Sequence, residues 1–365
     1  MESDKFTKKT LTIGIPTYNR ASILEKSLPQ LARDIGHLSA KVSIIISDNC
    51  SVDDTSRICE SWIQSVGHEL DVKYFRNQAN IGVSRNLVSL FYRAKTPYFM
   101  FLGDDDRLNP DFFPNLISIL ESENRPSAVV QSFWHGKSRT SAVGYVGFPE
   151  SLKLFYEYGN AWAGVVDTAA AVNALESRNL RSSVEEIVWP QTVMGYLAMH
   201  DLQPRPIYLA SEEIGSNLVG GINLCNKAYW KTSLFGLLKA AMLTDKAIGD
   251  RIVRRSFLSY RCTGFISHLK AIALSTLIEG GEQTQSPDVG LLLRKEFGLR
   301  GVFWWVLLLM AESRYCVYLF GRIFWIVGKR PRVFAFDKEV RQMRLEFQSQ
   351  VRNAAQNNKR FGDWF

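Results

Sequence analysis

Short apolar runs alternate with amphipathic stretches over the first 135 residues. Leu11–Pro16, Val42–Ser47, Val72–Phe75, Tyr98–Leu102 and Ala128–Phe133 are rich in β-branched and aromatic residues and read as strands. Between them, apolar residues recur at helical spacing. Ser22–Ile35 is predicted as a helix, with Ser22 as N-cap and Glu25 completing a capping box. Asp53–Val66 carries Ile58, Trp62 and Val66 on one face, and Ile81–Ala94 carries Leu87, Leu90 and Phe91. Phe112–Glu121 is the fourth helix. Strands alternating with helices of this length predict an α/β fold with a mostly parallel sheet. Ligands of such sheets bind at the carboxyl ends of the strands.

The pattern then becomes mixed. Ser141–Phe148 and Ile207–Ala210 read as strands, the second as the last of the sheet. Leu152–Tyr158 and Gln191–Met199 read as helices. From about residue 220 the pattern is helical: Lys227–Leu243, Asp250–Tyr260, Phe265–Leu277, Gly290–Glu296 and Val302–Val327. Two domains are therefore expected, residues 1–219 and a mainly α-helical region over 220–365. The last apolar stretch is broken by Glu312, Arg314 and Arg322. A membrane-crossing helix needs roughly 20 apolar residues with few charges, so a clean crossing is not predicted. Trp304, Trp305 and Trp325, followed by Lys329-Arg330-Pro331-Arg332, fit an interfacial helix or hairpin on an anionic membrane surface. The competing reading is a buried helix pair of a soluble domain.

Charge sharpens this division. The net charge is +8, but residues 1–219 carry −4 and residues 220–365 carry +12. Such asymmetry points to an anionic partner, nucleic acid or membrane. The basic residues lie among long apolar helices and form no nucleic-acid motif, so no nucleic-acid partner is expected. Cys50, Cys59, Cys225, Cys262 and Cys316 show no CxxC and no metal-ligand spacing. With the polar start Met1–Lys5, they predict a reducing, cytoplasmic setting. His37, His68, His135, His200 and His268 have no paired spacing; His135 alone follows a predicted strand.

The chemistry gathers where the strands end. The first is followed by Thr17-Tyr18-Asn19-Arg20, the second by Asp48-Asn49, and the fourth by Gly103-Asp104-Asp105-Asp106. The segment Arg76–Gly82 opens the third helix, where backbone N–H groups can face an anion. Three consecutive carboxylates repel one another unless a cation lies between them; a solvated acidic turn is the plainer alternative. Neither GxGxxG nor GxxxxGK[ST] occurs in this half. A nucleotidyltransferase also uses a carboxylate-bound metal, but the glycine-rich loop usual after its first strand is replaced here by Pro16-Thr17-Tyr18-Asn19.

Four stretches together resemble family-2 glycosyltransferases of the GT-A fold: LTIGIPTYNR (11–20), IIISDNCSVDDT (44–55), NQANIGVSRN (77–86) and FLGDDDRLNP (101–110). Their wording is most similar to bacterial O-antigen and capsule sugar transferases of the abequosyltransferase-like group. The resemblance covers about the first 135 residues, the expected nucleotide-sugar half, and leaves 136–219 as the acceptor half. It implies a nucleotide-diphosphate sugar donor bound at the strand ends. Pro16, Thr17 and Tyr18, with Arg20 in the same stretch, would flank the nucleoside. Asp48 would bond the base and Asn49 would support its loop. Asn80 and Arg85 belong to the block that closes over the nucleotide. Asp104 would face ribose or pyrophosphate, and Asp105, with Asp106 in reserve, would bind Mg²⁺ or Mn²⁺. The family usually reads D-x-D-D here, and Gly103 takes the first position. The resemblance further implies inverting transfer to a saccharide or lipid-linked saccharide, with a general base about 80–100 residues after the metal motif. Glu185 and Glu186 fall there, Glu186 ahead; helix-capping glutamates are the alternative. Asp167 is a third candidate, since Val165 and Val166 beside it would raise its pKa.

Overall fold

The computed structural model describes residues 9–67, 69–131, 133–134, 137–138, 143–148, 150–151, 164–212, 214–217, 227–249, 272 and 288–313. The chain divides into two compact units, Met1–Gly220 with Lys239–Tyr260, and Gly221–Leu238 with Arg261–Phe365.

The first unit is built on an eight-stranded sheet. Its opening strands are β1 (Leu11–Thr17), β2 (Val42–Asp48), β3 (Asp71–Arg76) and β4 (Tyr98–Phe101). Helices α1 (Ala21–Ile35), α2 (Thr55–Val66), α3 (Val83–Arg93) and α4 (Phe113–Glu121) follow in alternation. A short β5 (Asp106–Leu108) precedes α4. The remaining strands are β6 (Ala128–Gln131), β7 (Phe133–Trp134), β8 (Lys137–Ser138), β9 (Gly144–Val146), β10 (Val165–Asp167), β11 (Ile207–Ala210) and β12 (Gly215–Asn217). The order across the sheet is β3-β2-β1-β4-β10-β6-β11-β9. β3, β2, β1 and β4 pair in parallel, as do β6 and β11. β10 is antiparallel to both β4 and β6, so these two point the same way. β9 runs against β11. All strands except β10 and β9 therefore point in one direction. The fold is the mostly parallel α/β arrangement that the periodicity predicts.

Burial explains why the central strands read as continuous apolar runs. A parallel strand is covered on both faces. Leu11, Ile13, Ile15, Ile44, Ile46, Tyr98 and Met100 join Leu24, Leu28 and Leu31 of α1 and Phe113, Leu116 and Leu120 of α4 in one core. On α3, Leu87, Leu90 and Phe91 are buried as expected. Phe91 stacks with Phe99 and Phe101 at centroid distances of 4.2 and 5.0 Å. Gly14 on β1 is required by this cluster, because a Cβ there would run into the Phe99 ring.

Several local expectations change. Ser22 does not cap α1. The N-cap position is Arg20, and no side chain of the helix's own start bonds it. Asp53, from the loop before α2, accepts the Ala21 N–H at 3.1 Å, and Thr55 accepts the Arg20 N–H at 2.9 Å. The cap comes from a neighbouring loop, which spacing along one helix does not reveal. Ile207–Ala210 is the last strand of the eight-stranded sheet in chain order, and β12 follows it in a separate pair with β5. The three-residue β10 and the helix Thr168–Glu176 went unpredicted.

In the second unit, the expected break between Gly290–Glu296 and Val302–Val327 is absent. One helix, Val289–Glu312, runs through Gly301, and the Asp288 side chain caps it by accepting the Leu291 N–H. Lys231 and Glu312 form an ion pair at 2.8 Å. Among the described residues no helix is long and apolar enough to cross a membrane. The predicted helices Leu152–Tyr158, Asp250–Tyr260 and Phe265–Leu277, and the segment after residue 313, lie outside the described residues, save Ile272.

Candidate active site

Parallel strands bring their carboxyl ends to one edge. Thr17, Asp48 and Arg76 stand in register across β1, β2 and β3. β4 ends beside β1, where the Leu102 N–H bonds the Gly14 carbonyl at 3.0 Å. The Thr17 hydroxyl donates to Asp104 Oδ2 at 2.8 Å, and Arg20 Nε lies 3.6 Å from the same oxygen. The first and fourth strand ends are thus joined by side chains as well as by the sheet. This is the point where the strand order reverses, the usual ligand crevice of such sheets.

The loop after β2 is built around Asp48, which is fully buried. Its Oδ1 accepts the Ser51 N–H and hydroxyl at 2.9 and 2.5 Å. Its Oδ2 accepts from the Tyr74 hydroxyl at 2.7 Å and the Ser56 hydroxyl at 3.2 Å, with Arg76 Nε at 3.5 Å. Both oxygens are engaged, so this carboxylate organises its own loop. Asn19 and Cys50 hold left-handed backbone angles, φ 53° and 68°. Asn19 is fixed by bonds of its N–H to the Ser51 hydroxyl and of its Oδ1 from the Val52 N–H.

A chain of amides ties this loop to the start of α3. Asn49 Nδ2 donates to Asn80 Oδ1 at 2.7 Å, and Asn49 Oδ1 accepts from Asn77 Nδ2 and the Ile81 N–H at 3.1 and 3.0 Å. Asn77 also donates to Asn86 Oδ1 at 3.0 Å. Asn86, 2% exposed, accepts from the Ser47 hydroxyl and donates to the Ser47 carbonyl. Fully partnered networks of this kind fix one conformation of the groups they hold.

The aspartates contrast with this. Asp104 and Asp106 are buried, while Asp105 is half-exposed. Burial pushes the Asp104 carboxyl up to about 6, with Arg20 and Thr17 opposing. Burial and then the Asp105 charge push Asp106 up to about 7, its Gly103 N–H bond opposing. Gly103 now has a physical reason. A Cβ there would stand 2.6 Å from Asp106 Oδ2 and 3.0 Å from Asp105 Oδ1. Two carboxylates occupy the space that the missing side chain leaves. Among the described residues no three His, Cys, Asp or Glu are arranged to hold a metal unaided. A Mg²⁺-type cation needs only one or two carboxylates when substrate phosphates complete its shell, and Asp105 with Asp106 fit that donor set.

The other predicted residues fall as follows. Pro16 and Tyr18 are half-buried at the edge, and Arg85 is exposed in the first turn of α3. Asp167 does not join the aspartates. It pairs with Tyr98 at the opposite end of β4, caps the following helix through the Ala170 N–H, and forms an ion pair with Arg205 at 3.1 Å. Glu185 pairs with Arg181 at 3.0 Å, whose guanidinium lies over the Tyr92 ring. Glu186 is exposed. Sequence reading missed Ser47, Asn77 and Asn86 as site-building residues. The asparagine density of residues 77–86 was the signal.

Residues 12–181 match the model of glycosyl transferase family 2. Abequosyltransferase RfbV of Salmonella typhimurium is 32% identical over 113 residues, 31% of this chain and 33% of that protein. An uncharacterized glycosyltransferase, MG060 of Mycoplasma genitalium, is 30% identical over 97 residues, 26% of this chain and 32% of that protein. The matched stretch spans about a third of the length of these curated relatives. A crystal structure of S. aureus TarS, residues 1–349, shares the fold with a TM-score of 0.50 and 14% identity, over 84% of this chain and 91% of that one. Residues 12–181 are therefore similar to glycosyl transferase family 2 on a GT-A scaffold, and part of the chain is similar to abequosyltransferase RfbV.

Proposed function

We propose that the protein moves a sugar from a nucleotide-diphosphate donor to a saccharide hydroxyl, with inversion, in the assembly of a bacterial surface polysaccharide. The observation that carries this is the convergence at one sheet edge of two unlike halves. Loops locked by Asp48 and the Asn49–Asn80 pair face buried carboxylates at Asp104 and Asp106 that have few donors. The locked loops suit a rigid nucleoside. With Asp48 fully engaged, base recognition falls to the backbone of its loop and to Tyr18 and Arg20 around it. Asn80 and Arg85 stand on the nucleotide side.

Asp105 and Asp106 would hold Mg²⁺ or Mn²⁺, which when bound supplies Lewis-acid neutralisation of the leaving diphosphate. Asp104, held by Thr17 and Arg20, orients the ribose or pyrophosphate. Inversion requires the acceptor hydroxyl on the face opposite the leaving group, with a base to take its proton. Glu186 is the proposed base. Glu185 is tied to Arg181, and Asp167 to Arg205 and a helix start.

The acceptor is proposed to be lipid-linked, which brings the enzyme to the cytoplasmic face of a membrane. On the helix Val289–Glu312, Val302, Phe303, Val306 and Leu309 are exposed at helical spacing. This helix belongs in sequence to the +12 region. An apolar face among cations suits an anionic bilayer surface. The double variant Phe303→Glu/Leu309→Glu is expected to lose most co-sedimentation with phosphatidylglycerol vesicles; full retention would refute the membrane contact.

The donor reading is tested by a thermal-shift panel of UDP-, GDP-, dTDP- and CDP-sugars with and without Mn²⁺. A ligand that binds the folded state raises its melting temperature. One nucleotide class is expected to do so, more strongly with the cation. No shift with any of them sinks the proposal.

A further inference from the structure

The helix Pro190–Asp201 lies outside the family match and is buried along nearly its whole length, from Pro190 to Met199. Such a helix normally hides no unsatisfied polar group. Gln191, in its first turn, departs from this. It is 8% exposed, and its Oε1 and Nε2 are both shut off from solvent with no hydrogen-bond partner. Among the described residues no other side chain has two such atoms. The helix start beside it has no capping side chain and no acidic residue in the first turn.

The direction of the helix locates this group. Asp201, its last residue, binds Arg178. The chain then turns to Arg205, which meets Asp167 beside the start of β4, and enters β11 level with the start of β6. The helix therefore ends at the amino edge of the parallel strands. A helix joined to a parallel strand by a short loop runs back across the sheet. Its first turn lies roughly 16 Å away, the length of 11 helical steps, toward the edge that holds the aspartates. Helical side chains lean toward their own N-terminus. A first-turn amide accordingly projects past the helix start, on the side from which Glu186 enters.

We infer that the Gln191 amide at this helix start is a saccharide subsite, which takes a pair of neighbouring sugar hydroxyls. An amide offers one accepting oxygen and a donating NH₂ side by side. Two vicinal hydroxyls can give and accept in the same way; a nucleobase edge can too, but the base is placed above at the loop around Asp48. The sugar displaces the chain that covers the amide and gives it the partners it lacks. The inference rests on the sugar-transfer reading above. The hydroxyls belong either to the acceptor or to the sugar of the donor.

The test uses the full chain and Gln191→Met, which keeps the volume and removes the amide. An unpartnered amide contributes nothing to the fold, so the variant melts at the same or a higher temperature. In the acceptor arm, saturation-transfer NMR reads binding of methyl α-D-galactopyranoside and methyl α-D-mannopyranoside. In the donor arm, the affinity of each nucleotide sugar of the panel is divided by that of its free nucleotide. The wild type is expected to bind a glycoside, or to prefer a nucleotide sugar at least tenfold. The variant loses that preference or binding by tenfold or more and keeps the free nucleotide. Loss in the first arm assigns the acceptor, and loss in the second assigns the donor sugar. The inference is overturned if the wild type shows neither, if the variant retains both, or if its melting temperature and nucleotide binding fall together. Failure of free nucleotides to bind the wild type instead sinks the donor reading and leaves the glycoside arm standing.

Discussion

Two carboxylate groups on one sheet edge have opposite surroundings. Asp48 is fully buried and receives hydrogen bonds from Ser51, Tyr74 and Ser56, with Arg76 beside it. Asp106 is nearly as buried, yet its only donor among the described residues is the Gly103 N–H, and two more carboxylates stand next to it. The first arrangement is complete without a ligand. The second is held together against its own charge. The proposed binding of a cation and release of a diphosphate would need both: a finished wall, and a floor left short of positive charge.

The largest expected effect breaks the floor without touching the wall. Asp105→Ala should lower transfer by about 10²–10³-fold, the scale of removing a group that stabilises developing charge. Stability should change by less than about 0.5 kcal/mol, as for other partly exposed positions. Full cation-dependent activity in this variant would end the metal assignment. The opposite result is expected at the wall. Asp48→Ala takes the acceptor from the Ser51 N–H and from the Ser51, Ser56 and Tyr74 hydroxyls and should cost on the order of 3 kcal/mol in chemical denaturation. An unchanged denaturation midpoint would show that the loop does not depend on that carboxylate.

The smallest effect sharpens the contrast. The Asp106 pKa is raised from 3.8 to about 7. Between those values the native state binds more protons than the unfolded chain, so stability falls as pH rises through that window. In EDTA at pH 8, Asp106→Asn should melt roughly 2–4 °C higher, the shift that about 1 kcal/mol produces in a domain of this size. Near pH 4 the difference should close, because the native carboxyl is then already protonated. Equal melting temperatures at pH 8 would mean that the charge on Asp106 is compensated.

Most of the sheet's first half was legible because parallel strands must be apolar on both faces, and the amphipathic helices between them repeat at 3.6 residues. The strand-end clusters followed from the same rule. What escaped depended on contacts between distant segments. Ser22 has the local wording of a cap, yet Asp53 performs that work from another loop. Asp167 follows two valines and reads as a candidate base from sequence. Its partner Arg205 lies 38 residues away in sequence and at the far edge of the sheet. Gly103 looked like a missing carboxylate, and only the positions of Asp105 and Asp106 show why a side chain does not fit there.

The three residues of β10 have a wider consequence. Within the eight-stranded sheet Val165–Asp167 alone stands between β4 and β6, and among the described residues the other strand pairing between the aspartates and the later chain is that of β12 with β5. Seams of three residues each constrain few positions on either side. The part of the sheet that follows β10 can be replaced in evolution, or exchanged by an engineer, while the edge formed by β1, β2 and β4 keeps its register. An exchange made there has to keep β12, because its pairing with β5 reaches Asp106 itself.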